Sequence, residues 1–335
     1  MTAFSDDGSV SAGRAFLTGV TGQDGSYLAE SLLSRGWEVH GLVREDQTTG
    51  KAENGETHVD GVKFHVGNLA HPAGIDRILN SVSPDLVFNL GGISSVYQSW
   101  QQPYDTSLIS GASVVAMLET VWQLQQQSGK QVRFLQASSA ELFGDAEHAP
   151  QSETTPIRPV SPYGAAKALA HHAVGVYRSR GLFASTAILY NHESVRRPAK
   201  FVTRKITAGA AAIAAGQQDK LTLGNLDAVR DWGWAPDYVD AIDRIAQGTE
   251  PDDFVVATGV SHSVRDFVAA AFAAAGIEDW ERYVEVDSAL SRPTDTSEMR
   301  GDISKISSRL GWTPTTDFEQ LVAAMVRHDQ DLLND

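Results

Sequence analysis

"TGVTGQDGSYLAE", residues 18–30, is the stretch on which the reading of the whole chain turns. A short apolar run, "RAFLTG" (14–19), leads into it, and a helical pattern, "SYLAESLLSRG" (26–36), leads out. Gly19, Gly22 and Gly25 therefore stand where a strand becomes a helix. Glycine permits the tight turn there, and the backbone N–H groups at the helix start can approach a pyrophosphate. In this strand–turn–helix setting the trio predicts dinucleotide binding rather than a turn that is merely tight.

The rest of the chain continues the pattern. β-rich runs follow at "WEVHGLVR" (37–44), "VKFHV" (62–66), "DLVFNL" (85–90), "VRFLQA" (132–137) and "FASTAILY" (183–190), with helical patterns between most of them. Alternating strands and helices with nearly all-apolar strands predict an α/β fold, a doubly wound, Rossmann-type parallel sheet covered on both faces. Residues 14–190 are expected to form mainly the dinucleotide-binding domain. Residues 191–330 are expected to form mainly a smaller C-terminal substrate lobe, with some return of the chain to the main domain. Its helices are expected at "PDYVDAIDRIAQG" (236–248) and "VRDFVAAAFAAAG" (264–276). The segment "EDQTTGKAENGETHVDG" (45–61) reads as a polar, mobile loop.

Composition narrows the function. The 335 residues are 42% hydrophobic and 21% charged, as in an ordinary globular protein, and their formal net charge is −15. That charge argues against nucleic acid or a membrane surface as partner, since phosphates are repelled overall. The chain has no cysteine, which suits a reducing cytoplasm and excludes thiolate metal sites. Its first residues, "MTAFSDDGSVSAG", lack the basic and apolar regions of a secretory signal. The apolar "AGAAAIAAG" (208–216) is too short to span a bilayer. No grouping of His, Asp and Glu has metal-ligand spacing, so no metal is expected.

Three further motifs carry chemistry. "GLVRED" (41–46) closes the second strand with Arg44, where an acidic residue would select NAD and an arginine accommodates the 2′-phosphate of NADP. "SPYGAAKALAHH" (161–172) sets Tyr163 and Lys167 four apart, on one face of a helix. Lowering a tyrosine from a pKa of about 10 by roughly three units takes about 4 kcal/mol, within reach of a nearby ammonium and a nicotinamide cation. Ser139, at the end of "FLQASSAELFG" (134–144), completes a set suited to removing a sugar hydroxyl proton while hydride leaves the same carbon. Arg196, Arg197, Arg204, Lys205, Arg230 and Arg292 form a basic set suited to holding a diphosphate. His171 and His172 read as ordinary helix-surface residues.

With these residues assembled, the chain resembles the extended short-chain dehydrogenases/reductases and, within them, the GDP-mannose 4,6-dehydratases. The resemblance runs from about residue 14 to 328. Its most specific pieces are "QASSAELFG", "NHES" with "RR" and "FVTRKIT", and "LGNLDAVRDWG". It implies catalysis by Ser139, Glu141, Tyr163 and Lys167. It implies cofactor contacts at Gly19, Val20, Thr21, Gly22, Gln23, Asp24, Gly25, Arg44, Asn68, Leu69, Leu90, Gly91, Gly92, Ser94, Tyr163, Lys167, His192 and Arg197. Substrate contacts are implied for Ser94, Ser139, Glu141, Asn191, Glu193, Lys205, Arg230 and Arg292. The expected substrate is a GDP-sugar, GDP-mannose by family, and the expected activity is NADP-dependent water loss across C5–C6 after oxidation at C4. Glu141 is the expected C5 base. Family patterns are altered at Ser139-Ala140-Glu141 (Thr-Ser-Glu), at Asn68-Leu69 (Asp-Leu) and at Gly91 to Ser95 (Ala-Ala-Gln-Ser-His). Arg44-Glu45 replaces a double arginine that reaches a neighbouring subunit, so the implied assembly is a homodimer and the tetramer stays open. An epimerase or reductase using the same Ser/Tyr/Lys set, and a non-catalytic NADP sensor, are the alternatives.

Overall fold

The computed structural model describes residues 12–47, 57–290 and 298–334. The N-terminal lead-in, most of the polar loop after the second strand, and Arg292 lie outside the described residues. Six strands alternate with helices through the first half: β1 (Gly13–Thr18), α1 (Gln23–Ser34), β2 (Trp37–Val43), β3 (Lys63–Val66), α2 (Pro72–Val82), β4 (Leu86–Asn89), α3 (Val96–Gln101), α4 (Pro103–Ser107), α5 (Ser113–Ser128), β5 (Arg133–Ser139), α6 (Pro162–Ser179) and β6 (Phe183–Leu189). The second half adds β7 (Asn191–Glu193), α7 (Val202–Ala214), β8 (Leu221–Leu223), β9 (Val229–Trp234), α8 (Ala235–Gln247), β10 (Asp253–Val256), β11 (Ser261–Ser263), α9 (Val264–Ala274), β12 (Val284–Val286), β13 (Glu298–Met299), α10 (Ser304–Leu310) and α11 (Phe318–Asn334).

Seven strands form one sheet in the order β10-β6-β5-β4-β1-β2-β3. Every pairing in it is parallel. The order reverses between β1 and β4, so the strand ends diverge there and open a crevice. β1, β4, β5 and β6 are almost wholly buried, as their apolar runs require. β3 departs from that pattern: it is one of the two edge strands, and Phe64 and Val66 are exposed.

One face of the sheet packs with α1 and α8 around Leu17, Leu28, Phe88, Leu135 and Ile242, and the other with α2, α5 and α6 around Phe16, Leu79, Val87, Leu118 and Phe134. Pro103–Ser128 is a continuous helical run, with a π-turn at Leu108–Ala112. It is long and apolar enough to cross a membrane by length and composition alone, yet Val114, Met117, Leu118 and Val121 are buried against the sheet.

A separate core joins α7, α9 and α11 around Trp232, Phe267, Phe272, Phe318 and Met325. The "PDYVDAIDRIAQG" helix is not part of it: α8 packs on α1, β5 and β6, beneath the main sheet. The reason is its apolar stripe of Tyr238, Val239, Ile242 and Ile245, which covers a face of β-strands left bare by α1 alone.

Candidate active site

β1 ends in a turn at Gly19, whose φ of +68° is the left-handed region that glycine favours. α1 starts at once, with Gly22 as its N-cap. A Cβ on Gly25 would lie 2.1 Å from the Gly19 carbonyl oxygen, so the first helical turn sits directly on the turn that feeds it. The helix start thereby faces the crevice with backbone N–H groups, a ready anion site.

Here lies a groove of about 1260 Å³. The turn lines it with Gly19, Thr21, Gly22, Gln23, Asp24 and Gly25, and the neighbouring strand ends add Arg44, Asn68, Leu69, Leu90, Gly91, Gly92 and Ser94. Val195 to Phe201 and Arg204 close it from the second half. Most of the expected cofactor set is thus brought together around a backbone turn that leaves no room for a side chain at position 25, and a dinucleotide fits the groove it lines. Val20 is the exception within the turn: it is buried and packs against Gly41, so it supports the cradle from beneath. Arg44 is exposed and pairs with Asp46 at 3.1 Å.

The acid–base candidates form a second, buried group. Ser139 ends β5 and accepts a hydrogen bond from the backbone N–H of Glu141 at 3.3 Å, which turns the chain into the short 3₁₀ segment Ala140–Leu142. Glu141 is on that segment. Ser161 caps α6 by accepting from Gly164 N at 3.0 Å, and Pro162 fills the first helical position. Gly164 lets the helix approach: a Cβ there would be 2.5 Å from the Glu141 carbonyl oxygen. The first turn of α6 is therefore seated on the segment that carries Glu141. This brings Tyr163 to Ser139 and Glu141, with Lys167 one helical turn further on.

Burial pushes the Tyr163 phenol up to about 12; its hydrogen bond with Ser139 and the charge of Arg197 oppose this, while the Glu141 and Asp24 carboxylates add to it. Lys167 Nζ donates to the Ala137 carbonyl at 2.7 Å and lies 5.7 Å from the Tyr163 ring centre. Burial lowers its pKa to about 8, against the pull of Asp24. The protein alone thus raises the phenol pKa, because desolvation and the two carboxylates outweigh the Ser139 hydrogen bond and the Arg197 charge.

Asp24 and His192 couple the two groups. His192 Nε2 is 2.9 Å from the Asp24 carboxylate, and Nδ1 is 2.7 Å from the Tyr190 carbonyl. Burial would raise Asp24 and lower His192, but their mutual attraction wins on both sides: Asp24 is held below the usual carboxylate range and His192 is raised. His192 lies behind the groove, stacked 4.6 Å from Tyr238.

The basic set of the second half is mostly engaged with protein. Arg196 pairs with Glu30 at 2.6 Å and covers the Tyr27 ring. Arg197 lies 3.0 Å from Glu193, which also accepts from Thr203 at 2.7 Å. Glu193 is almost fully buried, and burial raises its pKa despite Arg197. It supports Arg197 rather than facing the groove. Arg204 is buried against Asp329. Lys205 donates to the Thr222 carbonyl, and Arg230 is buried on β9 with a bond to the Val229 carbonyl. Asn191 begins β7, which pairs with β9 at Trp232. Lys205, Arg230 and Asn191 do not line the groove. His171, read as a surface residue, is largely buried, with Asp253 3.9 Å away.

Three buried residues to which the sequence reading gave no role, Thr18, Asn89 and Gln136, lie behind the glycine loop. Gly91 N donates to Thr18 Oγ1 (2.9 Å), Thr18 Oγ1 donates to Asn89 Oδ1 (2.6 Å), and Asn89 Nδ2 donates to Gln136 Oε1 (2.8 Å). Gln136 Nε2 then donates to the Ala137 carbonyl, the group that also accepts from Lys167. A buried polar chain therefore runs from the glycine loop to the lysine. Its sequence signal was present: "FNL" and "LQA" each put one polar residue into an apolar strand, which costs stability unless a partner is built in.

A Rossmann sheet whose groove adjoins a Ser/Tyr/Lys group defines an extended short-chain dehydrogenase/reductase. Relatives refine this. The GDP-mannose 4,6 dehydratase family model matches residues 16–325. GDP-mannose 4,6 dehydratase 1 of Arabidopsis thaliana is 42% identical over 95% of this chain and 90% of its own length. The chain belongs to the GDP-mannose 4,6-dehydratase family. Among solved structures, Thermus thermophilus UDP-glucose 4-epimerase in complex with NAD has a TM-score of 0.80 at 27% identity, covering 95% of this chain and 99% of its own. The Pseudomonas aeruginosa protein RMD, complexed with NADPH, shares the fold with a TM-score of 0.77 at 21% identity, covering 96% of this chain and 100% of its own.

Proposed function

We propose that this chain is an NADP-dependent nucleotide-sugar 4,6-dehydratase that converts GDP-mannose to GDP-4-keto-6-deoxymannose. The observation that carries the reading is Glu141: a carboxylate two residues after Ser139, seated under the first turn of α6 and close enough for its charge to act on the Tyr163 phenol. Family membership supports the dehydration and the GDP-sugar.

The glycine turn, Asn68, Leu69 and Leu90 to Ser94 would hold a nicotinamide dinucleotide, with Arg44 favouring the 2′-phosphate of NADP. Bound there, it supplies a hydride acceptor for C4, a hydride donor for C6, and a positive ring charge that favours the phenolate. Tyr163 Oη takes the proton of the C4 hydroxyl, steadied by Ser139. Arg197 supplies positive charge against the rise that burial imposes on the phenol, and the Lys167 ammonium stands 5.7 Å from its ring centre. The C4 ketone acidifies the C5–H bond; Glu141 removes that proton and passes it to the C6 hydroxyl, which leaves as water, and when hydride enters C6 a proton returns to C5, balancing the one released from the C4 hydroxyl. An epimerase that only oxidises and re-reduces C4 needs no acid or base at C5 and C6, so it gives Glu141 no task.

We assign the working enzyme to the cytoplasm and to a homodimer. Tyr97, Trp100, Tyr104, Leu169 and Val176 are exposed on α3, α4 and α6, an apolar surface that favours pairing of two copies. The test of the reaction is incubation of purified protein with GDP-, UDP-, CDP- and dTDP-sugars, with products weighed by mass spectrometry. A product from GDP-mannose lighter by one water is expected; an isomer of unchanged mass would refute the reading.

A further inference from the structure

α11 reaches the groove from the far end of the chain. His328 and Leu332, one turn apart on that helix, are part of the groove wall. Between them Asp329 points the other way, into the protein, and is almost fully buried. Its Oδ1 lies 2.5 Å from Arg204 Nη2. Arg204 is buried as well, and its Nη1 donates to the carbonyl of Val195. Val195 opens the segment Val195–Phe201, which forms one side of the groove and carries Arg197.

We propose that Asp329 is a positioning residue for dinucleotide binding: it fixes the Arg204 guanidinium, which holds the Val195 carbonyl and so sets the groove wall. A guanidinium is planar, with its donors in a rigid fork, so fixing one nitrogen by a carboxylate orients the others. Here the second donor bears on a backbone carbonyl of the wall itself. A wall that shifts by a fraction of an ångström moves Arg197, whose side chain is held by Glu193 and covers the Phe201 ring and whose backbone N–H donates to the Ser194 carbonyl. The pair is also costly to bury, since two charges leave water. Apolar side chains of similar volume would fill the same space, so the ion pair contributes something that packing alone would not.

The inference rests on the dinucleotide reading of the groove, and the test separates the two. NADPH binding is titrated by fluorescence, alongside the melting temperature, for wild type, Asp329→Asn and the double variant R204M/D329L. Asp329→Asn keeps the shape and loses the charge; its NADPH Kd is expected to rise about tenfold, ~1.4 kcal/mol. In R204M/D329L the melting temperature is expected to return to the wild-type value or above, because an apolar pair replaces a buried ionic one. Its Kd is expected to stay about tenfold raised, because Val195 has lost its donor. A double variant whose Kd recovers together with its melting temperature would show the pair to be architectural and overturn the proposal. Wild-type affinity in a folded Asp329→Asn would do the same. If Asp329→Asn does not fold, the double variant alone decides between the same two results. A wild type that binds neither NADPH nor NADH would overturn the dinucleotide reading, and this proposal with it.

Discussion

The two walls of the groove are built on opposite principles. The glycine turn between β1 and α1 is made of backbone: removing side chains lets Gly25 sit on the Gly19 carbonyl. The wall of Val195 to Phe201 and Arg204 is made of side chains, several of them held by partners remote in sequence. Ser194 donates to Gln23, 171 residues away, and Arg204 depends on Asp329. Shape encoded by glycines is local and can be read from a dozen residues. A wall set by paired charges can be read only once the chain has folded. The contrast also says how each wall fails: the first by collision, the second by loss of alignment.

Four substitutions test this contrast, beginning with the largest effect. Lys167 belongs to the side-chain kind, buried with its pKa lowered to about 8. Lys167→Met is expected to lower kcat by about 10²–10⁴. It also removes a pH dependence of stability. The unfolded lysine, with a pKa near 10.5, holds its proton to higher pH than the folded one. Wild-type stability therefore climbs between pH 8 and 10.5, by up to ~3 kcal/mol, and is level with respect to this group below pH 8. Chemical unfolding across that window should show the climb in wild type and its loss in the methionine variant.

Gly25→Ala tests the backbone wall. The added methyl meets a main-chain oxygen that cannot swing aside, so the turn must open. NADPH Kd, by fluorescence titration, is expected to rise about a hundredfold, ~2.7 kcal/mol. An alanine variant that binds normally would show that close contact is not what builds the cradle.

Asn89→Leu cuts the buried polar chain, leaving Thr18 and Gln136 without their partner. Denaturant unfolding is expected to show a loss of about 1–3 kcal/mol, the cost of orphaned buried polar groups. Arg44→Ala is the mildest: the residue is exposed and shared with Asp46. The preference for NADPH over NADH is expected to fall by no more than about tenfold, as surface charge contacts are worth ~1 kcal/mol or less.

The fold was largely legible from the sequence because strand burial writes itself as apolar runs. "RAFLT", "LVFN" and "FASTAIL" appear as β1, β4 and β6 within a residue or two of their expected ends. The first wall was legible for the reason already given. Tyr163 and Lys167 were legible because four residues make one helical turn. What could not be read was the state of those groups. The protein's own groups raise the phenol, since α6 docks against β5 and buries it and carboxylates from α1 and the 3₁₀ segment add to the rise. Nor could Glu193 be seen as a support for Arg197, or α8 as a helix of the main sheet, because both facts depend on neighbours from other parts of the chain.

The central claim is that the Glu141 carboxylate performs the elimination, and Glu141→Gln tests it most directly. The amide keeps the size and the backbone bond to Ser139 but cannot accept the C5 proton. With GDP-mannose as substrate, NADPH binding should match wild type while formation of the dehydrated product, followed by mass spectrometry, falls by about 10²–10⁴. Dehydrated product at a near-normal rate would contradict the account.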